Sequence, residues 1–185
     1  MSATRASRRF LGNTNLAAFL LCLICLSNAG PASAQSGGSE ELRQVEHLGP
    51  VLATLEGRWK GEGELLDRPA TFAMNWVKSL NGRYLRLEFG NAYTDVDPIE
   101  GVLEAHAYYL LGGTTLTGRW IDSRGMMLSI EAEIVDSTLV AHWSGEENGR
   151  TEYHVIDEDT VEVTDYVRAN GEYYPFAKAR YQRVK

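Results

Sequence analysis

Cysteine is nearly missing from this chain: the two present, Cys22 and Cys25, both fall within the first 34 residues. If that segment is removed, as its pattern predicts, the remainder can form no disulfide, run no thiol chemistry and offer no thiolate to a metal. Histidine is scarce at four. Glu104-x-His106 and Glu152-x-His154 each set a carboxylate and an imidazole on one strand face, and His142 is a third candidate ligand. Zinc needs three or four ligands that converge, and pairs of this kind arise commonly by chance, so no metal is expected. Positive charge is also short, with 18 Lys and Arg against 25 Asp and Glu and a net charge of -7. Nucleic acid and anionic membrane surfaces are therefore poor partners. Beyond Leu16–Leu26 no apolar run approaches the length of a membrane span. There is no G-x-S-x-G, P-loop or H-E-x-x-H, and Ser129 and Ser144 have no patterned base, so no catalytic residue is assigned.

What is present begins with a secretory pattern. Arg5, Arg8 and Arg9 form a charged start, "LAAFLLCLICL" an apolar run, and "ASA" at Ala32 to Ala34 a cleavage site. "SRRFLG" is a degenerate twin-arginine motif, which leaves the export route open between the two systems. Residues 1–34 are thus expected to be a cleaved signal, 35–38 a flexible leader and 39–185 one domain, periplasmic or secreted in a Gram-negative type of bacterium. Cleavage removes three basic residues and no acidic one, which makes the remainder more acidic still.

Within that domain the hydrophobic period changes once. Leu42, Val45, Leu48, Val51, Leu52 and Leu55 have helical spacing with Ser39 as N-cap, and Gly49-Pro50 should divide the segment into two short helices. From Gly57 the period is two, and runs rich in β-branched and aromatic residues alternate with turn signals about every ten residues. Strands are predicted near 57–66, 70–79, 82–90, 99–111, 114–122, 126–134, 138–144, 150–156, 160–168 and 172–184. Ten antiparallel strands on so short a chain must protect their edges by closing. The expected fold is all-β, an up-and-down barrel of about ten strands with one or two short N-terminal helices.

"LGPVLATLEGRWKGEG" (Leu48 to Gly63) resembles the opening segment of the calycin-type, lipocalin-like barrels, whose G-x-W signature falls on Gly57-Arg58-Trp59. "SLNGRYLRLEF", "GRWIDSRG" and "ARYQRVK" are similar, in the same order, to segments of a bacterial family of lipocalin-like barrels of unknown function. The first and last segments are also similar to the nitrobindin family, which binds haem through a histidine on the last strand. That resemblance lays the ligand position on Lys178, and no histidine follows His154, so no cofactor is expected and haem least of all.

Alternation sorts candidate faces. Phe72, Met74 and Trp76 share one face, as do Leu116, Gly118 and Trp120, and so do Phe176, Lys178 and Arg180. If Phe176 points inward, Lys178 and Arg180 follow it and would clamp a carboxylate, since a buried cation requires a counter-charge. A second role for Arg180 is to stack on Trp59 and, with Gly57, close the barrel. The ligand candidates are therefore Trp76, His106, Trp120, Lys178 and Arg180. The expected function is binding of a small apolar or amphipathic molecule, with an acidic head group as one form of it. The alternatives are an isomerase or hydrolase in the same pocket with His106 or a carboxylate as base, and an envelope accessory protein without ligand. The oligomeric state is left open.

Overall fold

Alternation of inward and outward side chains between Gly57 and Arg183 builds ten strands, and every one pairs antiparallel with its sequence neighbours. The computed structural model describes residues 49–96, 101–112 and 115–185. The expected signal, leader and Ser39 cap, and the helix expected before Gly49, lie outside the described residues. A helix, α1, covers 49–55 and carries Pro50 in its first turn, where the missing N–H removes no helical hydrogen bond. Gly49-Pro50 therefore begins the described helix. Among the described residues no helix is long and apolar enough to cross a membrane.

The strands are β1 (Gly57–Leu65), β2 (Arg68–Ser79), β3 (Tyr84–Tyr93), β4 (Gly101–Leu110), β5 (Leu116–Asp122), β6 (Met127–Val135), β7 (Thr138–Ser144), β8 (Gly149–Asp157), β9 (Thr160–Ala169) and β10 (Glu172–Arg183). They form a closed barrel in which β1 pairs with β10 from Trp59↔Arg183 to Leu65↔Ala177. Closure removes both sheet edges. Close approach of β1 to β10 requires glycine at position 63, where a Cβ would overlap the Lys178 carbonyl oxygen.

The helix end is sealed by a small set of specific contacts. Trp59 is 1% exposed and its Nε1 donates to the Leu55 carbonyl at 2.8 Å. Arg183 lies over the indole at 4.2 Å and donates to the carbonyls of Thr54, Glu56 and Glu158 at 2.6, 2.7 and 2.7 Å. One guanidinium thus ties the helix, its exit and the β8–β9 turn together. Gly57 adopts φ 120°, and a side chain there would strike the same guanidinium at 2.8 Å.

The direction expected for the last strand is reversed. β10 has a bulge between Pro175 and Ala177, so Phe176 is an extra residue that shifts the alternation by one. Ala177, Ala179 and Tyr181 are buried and point inward, whereas Lys178 and Arg180 are exposed on the outer wall. Arg180 pairs there with Glu162 at 2.6 Å, and Arg183 occupies the place over Trp59 that had been expected for Arg180.

Candidate functional site

Side-chain size along the inner face decides where the barrel is solid and where it is hollow. Toward α1 the interior is filled by Trp59, Trp76, Leu85, Leu87, Leu116 and Leu139, all at most 1% exposed. Toward the opposite end Ala141, Thr151 and Ala177 take inward positions, and the strands part around a cavity of about 350 Å³. Its walls are largely apolar and aromatic, with Met74, Phe89, Trp120, Trp143, Val163 and Phe176 among them. Leu66, Arg124 and Glu147 line its outer part, on the turns that follow β1, β5 and β7.

Tyr109 and Tyr153 face the cavity and pack on Trp76, with ring centroids 5.5 and 5.2 Å from it. Beside them the wall carries a carboxyl group, Asp165 of β9, to which Thr151 Oγ1 donates at 2.6 Å. Burial pushes Asp165 up to about 6, against the opposing effect of the Thr151 hydrogen bond. Burial also raises the phenols of Tyr109, Tyr153 and Tyr181, and the negative charge of Asp165 adds to each. Asn91 of β3 lines the same space, and its buried Oδ1 has no partner.

The mouth is organised by a second carboxylate. Asp122, whose side chain is fully buried, accepts from Trp120 Nε1 at 3.0 Å, from Arg124 Nη2 at 2.8 Å, and from the backbone N–H groups of Arg124 and Met126. Burial acts to raise its pKa, but these hydrogen bonds outweigh burial and hold the carboxyl below its usual range. Trp120 is thereby fixed as a cavity wall, 5.8 Å from Phe89, and Arg124 is held where it also reaches Glu147 at 3.3 Å.

Of the candidates read from the sequence, Trp120 lines the cavity, while Trp76 supports its floor from beneath. His106 points outward, because Ala105, Ala107 and Tyr109 form the inner face of β4. Lys178 and Arg180 lie outside for the reason given above. The described histidines are not gathered: His142 faces Tyr173 and His154 faces Thr138, both on the outer wall. A histidine placed at 178 would likewise lie outside, so the haem-ligand position implied by the nitrobindin resemblance does not reach the cavity. Among the described residues no three His, Cys, Asp or Glu side chains converge on a metal-sized site.

Asp165 was missed by the sequence reading. Its signal is in "VEVTDYV", where Val161, Val163 and Val167 set an inward phase and an acid occupies the third position of that phase.

No family model matches the chain, and no curated protein sequence does. Solved structures do match. One of them, an S-type phycobiliprotein lyase from Guillardia theta, is similar with a TM-score of 0.53 at 10% identity, over 76% of this chain and 93% of that one. At that identity the likeness establishes the barrel fold.

Proposed function

We propose that this protein is an exported binding barrel for a small, largely apolar or amphipathic molecule, taken up through the end bounded by Leu66, Arg124 and Glu147. The observation that carries the reading is the aromatic-walled cavity of about 350 Å³, closed beneath by Trp76 and the α1 seal. Its volume is at the small end of the range in which proteins enclose small ligands. Export rests on the N-terminal pattern of charge, apolar run and A-x-A site. An acidic head group loses its support, since the cations expected to bind it are on the outer wall. The enzyme alternative loses His106 for the same reason, and the ligand is proposed to be carried unchanged.

The test uses N-phenyl-1-naphthylamine, an apolar fluorophore, titrated into the mature protein. Saturable one-to-one enhancement is expected, and Ala141→Trp, which fills the cavity from β7, should abolish it while leaving a cooperative thermal transition. Enhancement that survives in a folded Ala141→Trp protein would place the probe on the outer wall and overturn the reading.

A further inference from the structure

We infer that the cavity is built for a nitrogen base, a ligand whose protonated amine docks on the Asp165 carboxylate while its apolar body lies among Trp120, Trp143 and Phe89. The inference rests on the binding-barrel reading above and adds the chemical class of the ligand.

Asp165 has acceptor capacity that the protein itself does not fill. Thr151 supplies the one side-chain hydrogen bond that Asp165 accepts among the described residues. A carboxylate has room for about four. Tyr109, Tyr153 and Tyr181 are near enough to feel its charge but do not donate to it. An acid on the cavity wall with open acceptor positions selects a ligand that brings a donor, because leaving such an acceptor unmatched is unfavourable.

Charge points the same way. Among the described residues Arg124 is the one cation that lines the cavity, and it is committed to Asp122 and Glu147 at the mouth. On the strands that flank Asp165, Arg150 of β8 and Lys178 and Arg180 of β10 are on the outer wall, where Arg150 pairs with Glu152 and Arg180 with Glu162, and Arg183 of β10 is committed to the sealed end over Trp59. Asp165 is therefore a half-buried acid on the cavity wall without a counter-ion. Its raised pKa is the expression of that environment. An ammonium group would supply both charge and donors, and the faces of Trp120, Trp143 and Phe89 favour a cation passing between them.

The groups that face the ligand also set the pH response. They are Asp165, the phenols of Tyr109, Tyr153 and Tyr181, and Arg124 with Glu147 at the mouth. Between pH 5 and 7.5 the change of charge at the docking point belongs to Asp165. Protonation removes the counter-ion of the amine, so amine affinity falls on acidification and affinity for a neutral analogue does not.

The experiment compares octylamine, 1-octanol and octanoate by calorimetry at pH 7.5 and pH 5, with wild type and Asp165→Asn. Octylamine should bind wild type about ten- to a hundredfold more tightly than octanol at pH 7.5, the discrimination given by one charge-assisted hydrogen bond. That preference should shrink at pH 5 and vanish in Asp165→Asn, whose cooperative thermal transition shows that it is folded. Equal binding of all three, or tightest binding of octanoate, would overturn the amine assignment while leaving the barrel as a binding protein. Binding of N-phenyl-1-naphthylamine with none of the three octyl compounds would do the same. Failure of every probe would overturn both readings.

Discussion

At the end covered by α1, Trp59 and Arg183 direct their polar atoms to backbone carbonyls, whereas at the other end the same ten strands surround a cavity whose wall carries the Asp165 carboxyl with Thr151 as its side-chain donor. The strand pairing is continuous through both regions, so the hydrogen-bonded ladder does not account for the difference. Side-chain size and polarity on the inner face do. Tryptophan and leucine at one level make a plug, while alanine, threonine and aspartate at another make a receptor. Stability should therefore reside at the sealed end, and recognition at the open one.

The strongest way to break this comparison is at Trp59. Trp59→Ala should lose about 3 to 5 kcal/mol, as for a fully buried aromatic, read as a lower midpoint in urea unfolding. A loss below about 1 kcal/mol, far under that range, would mean that the seal does not support the barrel.

Asp165 should behave in the opposite sense. Its folded pKa of about 6 lies above the ordinary 3.8. Below 3.8 the carboxyl is neutral in both states and carries no penalty. As pH rises from there toward 6, the unfolded chain ionises before the folded one, so stability declines through this window and then levels. At pH 7.5 the accumulated loss is about 3 kcal/mol, from about 1.4 kcal/mol for each pH unit between the two pKa values. Asp165→Asn should recover most of it and flatten the decline between pH 4 and 6. A variant that melts lower than wild type at pH 7.5 would show that the acid serves the fold.

The smallest effect belongs to the outer wall. Lys178→Ala should change stability by less than about 0.5 kcal/mol, as for an exposed side chain, and leave probe binding unaltered. A clear loss of probe affinity would return Lys178 to the cavity and restore the face that the bulge reverses.

The strands were legible because a barrel wall with one dry and one wet face writes its period into the chain. The expected segments near 138–144 and 172–184 meet β7 and β10 within a residue or so. Phe72, Met74 and Trp76 could be assigned inward for the same reason, since their neighbours are exposed or only partly buried. The candidate site was less legible. The bulge at Phe176 inverts every face expected beyond it, and the chemistry that singles out His106 carries no information on its phase, which Ala105 and Ala107 set. Asp165 could have been found from its phase among valines, but whether a hollow lay in front of it depended on nine other strands.

Read alone, the sequence determined the strand count, the antiparallel meander, the need for closure and the place of Trp59 at the start of β1, because each follows from local periodicity and from the loss of exposed edges on closing. Tertiary structure decided which arginine covers that tryptophan, which face of β10 looks inward, and that Asp165, Thr151 and three tyrosines share one cavity. These depend on register and on side-chain volumes summed around the ring, and no single strand records that sum.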